Sequence, residues 1–271
     1  MGHSIRNFVS ILNFKTMIII SMGLGATWLC QYWQLFAELP TSLIGIAVVF
    51  PIVFSINAAY QRREVALNHL SSFKSCSTAL LFLLRDQPKE DSRELAENFR
   101  DLTLALFVKL KDYLEANQEN KREFMDIHSH FNQISLIIGQ LKFKGLTGGE
   151  ISRAGLYFHS MMADFEGLRN IYLYRTPLAL RAYTQIFLQA FPILFSPYFA
   201  YIADQSYPAA GYIVAALYSL VTSCLDNIQE ELENPFDGIG MDDINLDLIR
   251  EYKPILKRVL PDKIPAQKKD A

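Results

Sequence analysis

Cysteine is scarce in this chain: Cys30, Cys76 and Cys224 lie far apart, without metal-ligand spacing. An odd, scattered set excludes a disulfide framework and a cysteine-rich zinc module. Histidine is scarce too. His128 and His130 are near neighbours, but an i, i+2 pair points to different faces of a helix. His3, His69 and His159 supply no local third ligand, so neither a histidine metal site nor a histidine-box oxidase is predicted. Excess charge of one sign is also missing. Against 28 Asp and Glu stand 26 Lys and Arg, a net charge of −2, which gives no global field for nucleic acid. No alternating strand pattern of useful length occurs, so the fold class predicted is all-α.

What the chain has is apolar length. Hydrophobic residues make up 51% and charged residues 20%, and the mean hydropathy is +0.12. The charges are crowded between four stretches that lack them: Thr16 to Ala37, Thr41 to Gln61, Ala182 to Ala203 and Gln205 to Leu225. A helix needs roughly 20 apolar residues to cross about 30 Å of hydrocarbon, so each stretch predicts a membrane-crossing helix. Trp33, Tyr198, Tyr201 and Tyr207 sit near the ends, where amphipathic rings favour the headgroup zone. The first stretch is too long for a signal-peptide core, and its small-x-small pair, Gly23 and Gly25, falls inside it; a retained helix is predicted.

Glu38 to Pro40 joins the first two stretches and Asp204 to Pro208 the last two, with no Lys or Arg in either turn. Arg6, Lys15, Arg62, Arg63, Arg175, Arg181 and the basic tail from Lys253 lie at the opposite ends. The positive-inside rule places both termini and the middle region in the cytoplasm, of a bacterial inner membrane or a eukaryotic cell membrane. The organisation predicted is a first hairpin (residues 1–61), a cytosolic helical domain (62–181), a second hairpin (182–225) and a cytosolic C-terminal segment (226–271).

Within the middle domain, Val65, Leu67, Leu70, Phe73 and the run Ala79 to Leu84 predict that the second helix continues far into the cytoplasm, up to a break at Asp86 to Asp91. Ser92 is the predicted N-cap of the next helix, whose stripe is Leu95, Phe99, Leu102, Leu106 and Leu110. Further helices are predicted over Arg122 to Leu141 and Gly149 to Ile171, separated by the glycines at 145, 148 and 149. Ordinary core packing accounts for these stripes.

Three motifs carry a resemblance. Ser42-Leu-Ile-Gly45 opens the second apolar stretch, and Tyr60-Gln-Arg62 closes it. Thr176-Pro177 followed by Tyr183-Thr184 precedes the third, and Glu233-Asn-Pro-Phe236 follows the fourth. In this order, relative to four membrane helices, they resemble the bestrophin family, with departures at Pro51 and in the short N-terminal segment. The resemblance implies a homopentamer around one axial pore, passing chloride or other small anions. By position it implies a narrow neck formed by Ile46, Phe50 and Phe54. Independently, their i, i+4, i+8 spacing puts the three on one helical stripe, and Asn57 is a pore-lining candidate one turn further. Rings of such side chains could gate by dewetting, and electropositive Phe edges favour an anion. Calcium-activated members clasp Ca²⁺ near the loop that here contains Asp237, Asp242 and Asp243, which makes calcium a possible cofactor.

No catalytic constellation is evident. Asp242, Asp243 and Asp247 resemble half of a metal-diphosphate site, but they lie beyond the last apolar stretch and no second cluster matches them. The competing reading is a membrane-anchored helical scaffold without conductance.

Overall fold

The computed structural model describes residues 13–38, 40–88, 92–116, 118–174, 178–238 and 242–260. Nine α-helices are described: α1 Phe14–Tyr32, α2 Thr41–Asp86, α3 Arg93–Glu115, α4 Lys121–Gln140, α5 Gly148–Leu173, α6 Leu178–Leu194, α7 Ser196–Gln205, α8 Pro208–Glu233 and α9 Leu248–Val259. A 3-10 turn, Leu141–Lys144, precedes α5, and no strand occurs among the described residues. The all-α prediction is borne out. The chain forms two compact units: Met1–Arg62 with Arg175–Asn234 and Gly240–Asp242, and Arg63–Tyr174 with Pro235–Ile239 and Asp243–Ala271.

In the first unit α1 packs against α6, α7 and α8, and α8 packs against α6 and α7. The pattern of burial is inverted relative to a soluble bundle. On α1 the buried residues are Thr16, Ile19, Gly23 and Thr27, whereas Phe14, Met17, Met22 and Trp28 are exposed. On α8 Gly211, Ala215, Ser219, Thr222 and Ser223 are buried while Ile213, Leu217 and Val221 face outward. Helices in lipid gain nothing by hiding large apolar groups, so small residues take the interface and let the backbones approach. Gly211 shows how closely: a Cβ there would run into the Phe199 carbonyl oxygen and lie 2.7 Å from Ala203 Cβ. The buried hydroxyls find partners within the unit, Thr27 and Ser219 at the carbonyls of Gly23 and Ala215, and Ser223 at Thr16 Oγ1. Hydrocarbon would leave them unsatisfied.

Two stretches among the described residues, Gln185–Gln205 and Pro208–Glu233, are long and apolar enough to cross a membrane. The third predicted helix is broken: α6 ends at Leu194 and α7 begins at Ser196. Pro197 has no N–H to continue the ladder, and Pro192 already removes one bond a turn earlier. Phe187, Phe191 and Phe195 follow one another along the break with ring centroids 4.4 and 4.6 Å apart, the first pair tilted and the second stacked, and Tyr218 of α8 lies beside the last. The first helix stops at Tyr32, short of Ala37, where the backbone turns through Gln34 at φ 54. The fourth continues eight residues past Leu225, to Glu233.

The second unit has a conventional core. Phe73, Leu80, Leu81 and Leu84 of α2 meet Phe99, Leu106, Phe107 and Leu110 of α3, Phe131 of α4 and Phe165 of α5, all at 2% exposure or less. Of the predicted α3 stripe, Phe99, Leu106 and Leu110 are buried, and Leu95 and Leu102 pack half-buried against them. Ser92 precedes α3 but does not cap it, because its hydroxyl donates to the Leu84 carbonyl at 3.0 Å. A capping box that the sequence reading missed starts α5, with Thr147 and Glu150 exchanging side-chain-to-backbone bonds. Phe236, 1% exposed, inserts into this core, and the loop after it closes through Ile244 N–H donating to the Pro235 carbonyl at 2.8 Å. Gly238 supplies the left-handed turn between them, at φ 70.

A polar cluster crosses the top of that core. Arg169 lies 4.3 Å over the Phe124 ring, and its Nη2 donates to Glu119 at 2.8 Å and its Nε to the Tyr113 hydroxyl oxygen at 3.2 Å. Burial, with the Glu119 charge adding to it, pushes the Tyr113 phenol up to about 12. The hydrogen bond from Arg169 holds the Glu119 carboxyl below its usual range.

Candidate functional site

The candidate site is the N-terminal part of α2, which runs unbroken through Pro51. Ile46, Phe50 and Phe54 fall within this helix at four-residue intervals, each turned about 40° from the last, and Asn57 falls between Ile46 and Phe50 in angle. The side chains of Ile46 and Phe50 lie outside the described residues. Phe54 is 57% exposed and Asn57 is also exposed, with Val53 and Gln61 beside them. The opposite face is buried through small residues, Ser55 at 2% and Ala59 at 1%. From Thr41 to Gln61 the helix carries no charged residue; Arg62, Arg63 and Glu64 follow at once. Its small side chains thus face its own unit, and an aromatic and an amide face away from it.

A second feature escaped the sequence reading. Lys15 stood there only as one of the basic residues at the ends of the apolar stretches, and the structure pairs it with Asp226. Lys15 Nζ lies 2.7 Å from Asp226 Oδ2 and 3.2 Å from Glu230 Oε1. Gln185 Nε2 donates to the same Glu230 oxygen at 2.7 Å, and Asn13 Nδ2 to Asn227 Oδ1 at 3.2 Å. One polar network therefore joins α1, α6 and α8 at one end of the bundle. The usable signal was that charges bounding different stretches lie on the same predicted side of the membrane.

Asp237 and Asp243 are half-buried and Asp242 is exposed. Among the described residues no three His, Cys, Asp or Glu side chains converge as a metal-holding set. His128 stacks edge-on against Phe124 and Phe165.

An α-helical bundle with small and hydroxyl residues inside, apolar ones outside and two stretches of spanning length defines a helical membrane protein. Its fold is that of the bestrophins. A variant of a bacterial bestrophin homologue from Klebsiella pneumoniae superposes with a TM-score of 0.77 over 92% of this chain and 98% of that one, at 20% identity. A second structure of a bestrophin homologue from that organism gives a TM-score of 0.75 over 93% and 99%, also at 20% identity. In sequence, the voltage-dependent anion channel-forming protein YneE of Salmonella typhi is 26% identical over 260 residues, covering 88% of this chain and 81% of its own; the Salmonella typhimurium protein of that name matches equally. No protein-family profile matches the chain. The resemblance read from the three motifs is borne out.

Proposed function

We propose that this chain is a bestrophin-family anion channel, assembled as a homopentamer around α2. The observation that carries the reading is the uncharged stripe of α2 whose described members, Phe54 and Asn57, point away from their own unit. YneE, 26% identical, is a voltage-dependent anion channel-forming protein, which supports the choice of ion. In this reading Ile46, Phe50 and Phe54 form stacked apolar rings, wide enough to wet only when the helices part. The ring edges of Phe50 and Phe54 offer positive density to a partly dehydrated chloride. Asn57 donates amide hydrogens one turn beyond the neck. The protein crosses the bilayer four times with both termini in the cytoplasm, and no residue acts catalytically.

The test is a reversal-potential measurement on purified protein in planar bilayers under a chloride gradient. Reversal near the chloride potential, shifted or abolished by Phe50→Ala, supports the reading. Reversal near the cation potential overturns the choice of ion. A monomer or dimer without conductance overturns the channel and favours the scaffold.

A further inference from the structure

We propose that the groove between α3 and α4 is the seat of this chain's own C-terminal segment, Pro261 to Ala271. The groove has a volume of about 500 Å³ and an apolar lining from Leu102, Leu136 and Ile137, edged by the amides of Asn98 and Gln133. Leu136 is 60% exposed, so a segment laid along the groove would take apolar area from water.

The place where the described chain ends points to the occupant. Two arginines take the last carbonyls of α9: Arg85 Nη1 donates to the Val259 carbonyl at 3.2 Å and Arg100 Nη1 to that of Leu260 at 2.8 Å. Arg100 belongs to α3, and its Nε donates to Asp101 Oδ1 at 2.9 Å. Asp101 itself lines the groove. One guanidinium therefore bridges the end of α9 and the groove's rim. Leu260 has left the helical region, at φ −134 and ψ 90, as a residue before proline does.

Reach and charge agree with this seat. Ile264 follows Leu260 by four residues, at most about 14 Å of extended chain, and a helix with its side chains is about 10–12 Å across. Ile264 can thus pass over α3 and set its side chain on Leu102 and Leu136. The ridge it crosses is acidic. Glu94 is exposed there, and Asp101 is 65% exposed while the side chain of its partner Arg100 is only 6%. Glu97, on the same ridge, is paired with Arg93. Lys263 precedes Ile264, and Lys268 and Lys269 follow it, against Asp262 and Asp270. Lys263 would meet Asp101 as Ile264 enters the groove. Pro261 and Pro265 stiffen the free segment, which reduces the conformational entropy that docking removes.

The experiment uses the full chain with Leu136→Cys, an exposed position where the substitution leaves the core intact. Maleimide labelling at residue 136, read by peptide mapping, is followed with the natural tail and with Lys263→Glu, Ile264→Asp. Labelling is expected to be severalfold slower with the natural tail. A second protein, Leu136→Cys with Ile264→Cys, is mildly oxidised and should form a 136–264 disulfide within one chain, migrating as a monomer on a denaturing gel. Equal labelling rates with the two tails, or no 136–264 disulfide, overturn the docking. A disulfide that joins two chains also overturns it and makes a second copy's tail the occupant. Neither measurement involves conductance, so failure here leaves the channel reading standing.

Discussion

Lys15 Nζ and Asp226 Oδ2, 211 residues apart in the chain, lie 2.7 Å apart in the structure, with the carboxylate side chain 1% exposed and the lysine 31%. Removing one partner of a buried pair leaves the other charge uncompensated, which costs about 3–5 kcal/mol. Because Lys15 is partly solvated, Lys15→Met should fall near the lower end and reduce the Tm in detergent by several degrees. The double variant Lys15→Met, Asp226→Leu should recover much of that loss, since well-packed apolar side chains replace buried pairs at little cost. A double variant as unstable as the single one would show that the pair matters for more than its charge.

Gly211→Ala is expected to be severe. Its methyl has no room beside Phe199 and Ala203, and overpacking of this kind costs typically 1–3 kcal/mol or more. Gly25→Ala, at a helical position with nothing within 4 Å, should be neutral or slightly stabilising. Thermal unfolding of the two variants side by side checks the claim that α7 and α8 touch through backbone.

Truncating Phe236 to Ala should cost about 3–5 kcal/mol, as for other fully buried aromatic side chains. The loss should appear as lower Tm and as protease sensitivity of the segment after residue 234.

Selectivity tests the exposed stripe of α2. In the pentamer proposed above, Asn57→Asp would place a ring of carboxylates on that stripe, and acidic rings favour cations. The reversal potential should then move from the chloride potential towards that of the cation, whereas Asn57→Ala should leave its sign unchanged.

Acid should loosen the second unit partly through Glu119. Its carboxyl is held below the usual range by Arg169, so the stability it contributes is complete above about pH 4.3 and is lost as pH falls through the lowered value. At the alkaline end Tyr113, raised to about 12, favours the folded state below the ordinary phenol range and loses that advantage as pH climbs through 12. Glu119→Gln should flatten the acid limb of the Tm profile and Tyr113→Phe the alkaline one.

Much of this was legible in residue order. Apolar length predicts a membrane bundle, and the run from Val65 to Leu84 predicts that the helix of the second apolar stretch continues far beyond it; the helix runs on to Asp86. What stayed hidden was of two kinds. Helix ends depend on which hydroxyl reaches which carbonyl: Ser92 has the right residue type for a cap and uses its oxygen on Leu84 instead. Long-range pairs such as Lys15 with Asp226, or His69 with Asp164, need the tertiary arrangement before either residue looks different from an ordinary surface charge. The break at Phe195 lies between these cases, since Pro192 and Pro197 announce a disturbance without fixing whether the helix kinks or restarts.

The contact of α1 with α8 also bears on how the protein is made. The hydroxyl face of Thr16 and Thr27 is satisfied from the opposite end of the sequence, by Ser223 and Asn227 and by the helix's own carbonyls. In the four-span reading proposed above, the first helix enters the bilayer well before α6, α7 and α8, the helices it packs against, have been made. On that reading, a ribosome that stalls before residue 223 leaves Thr16 without Ser223 and Asn227, the kind of lesion that membrane quality control is built to find.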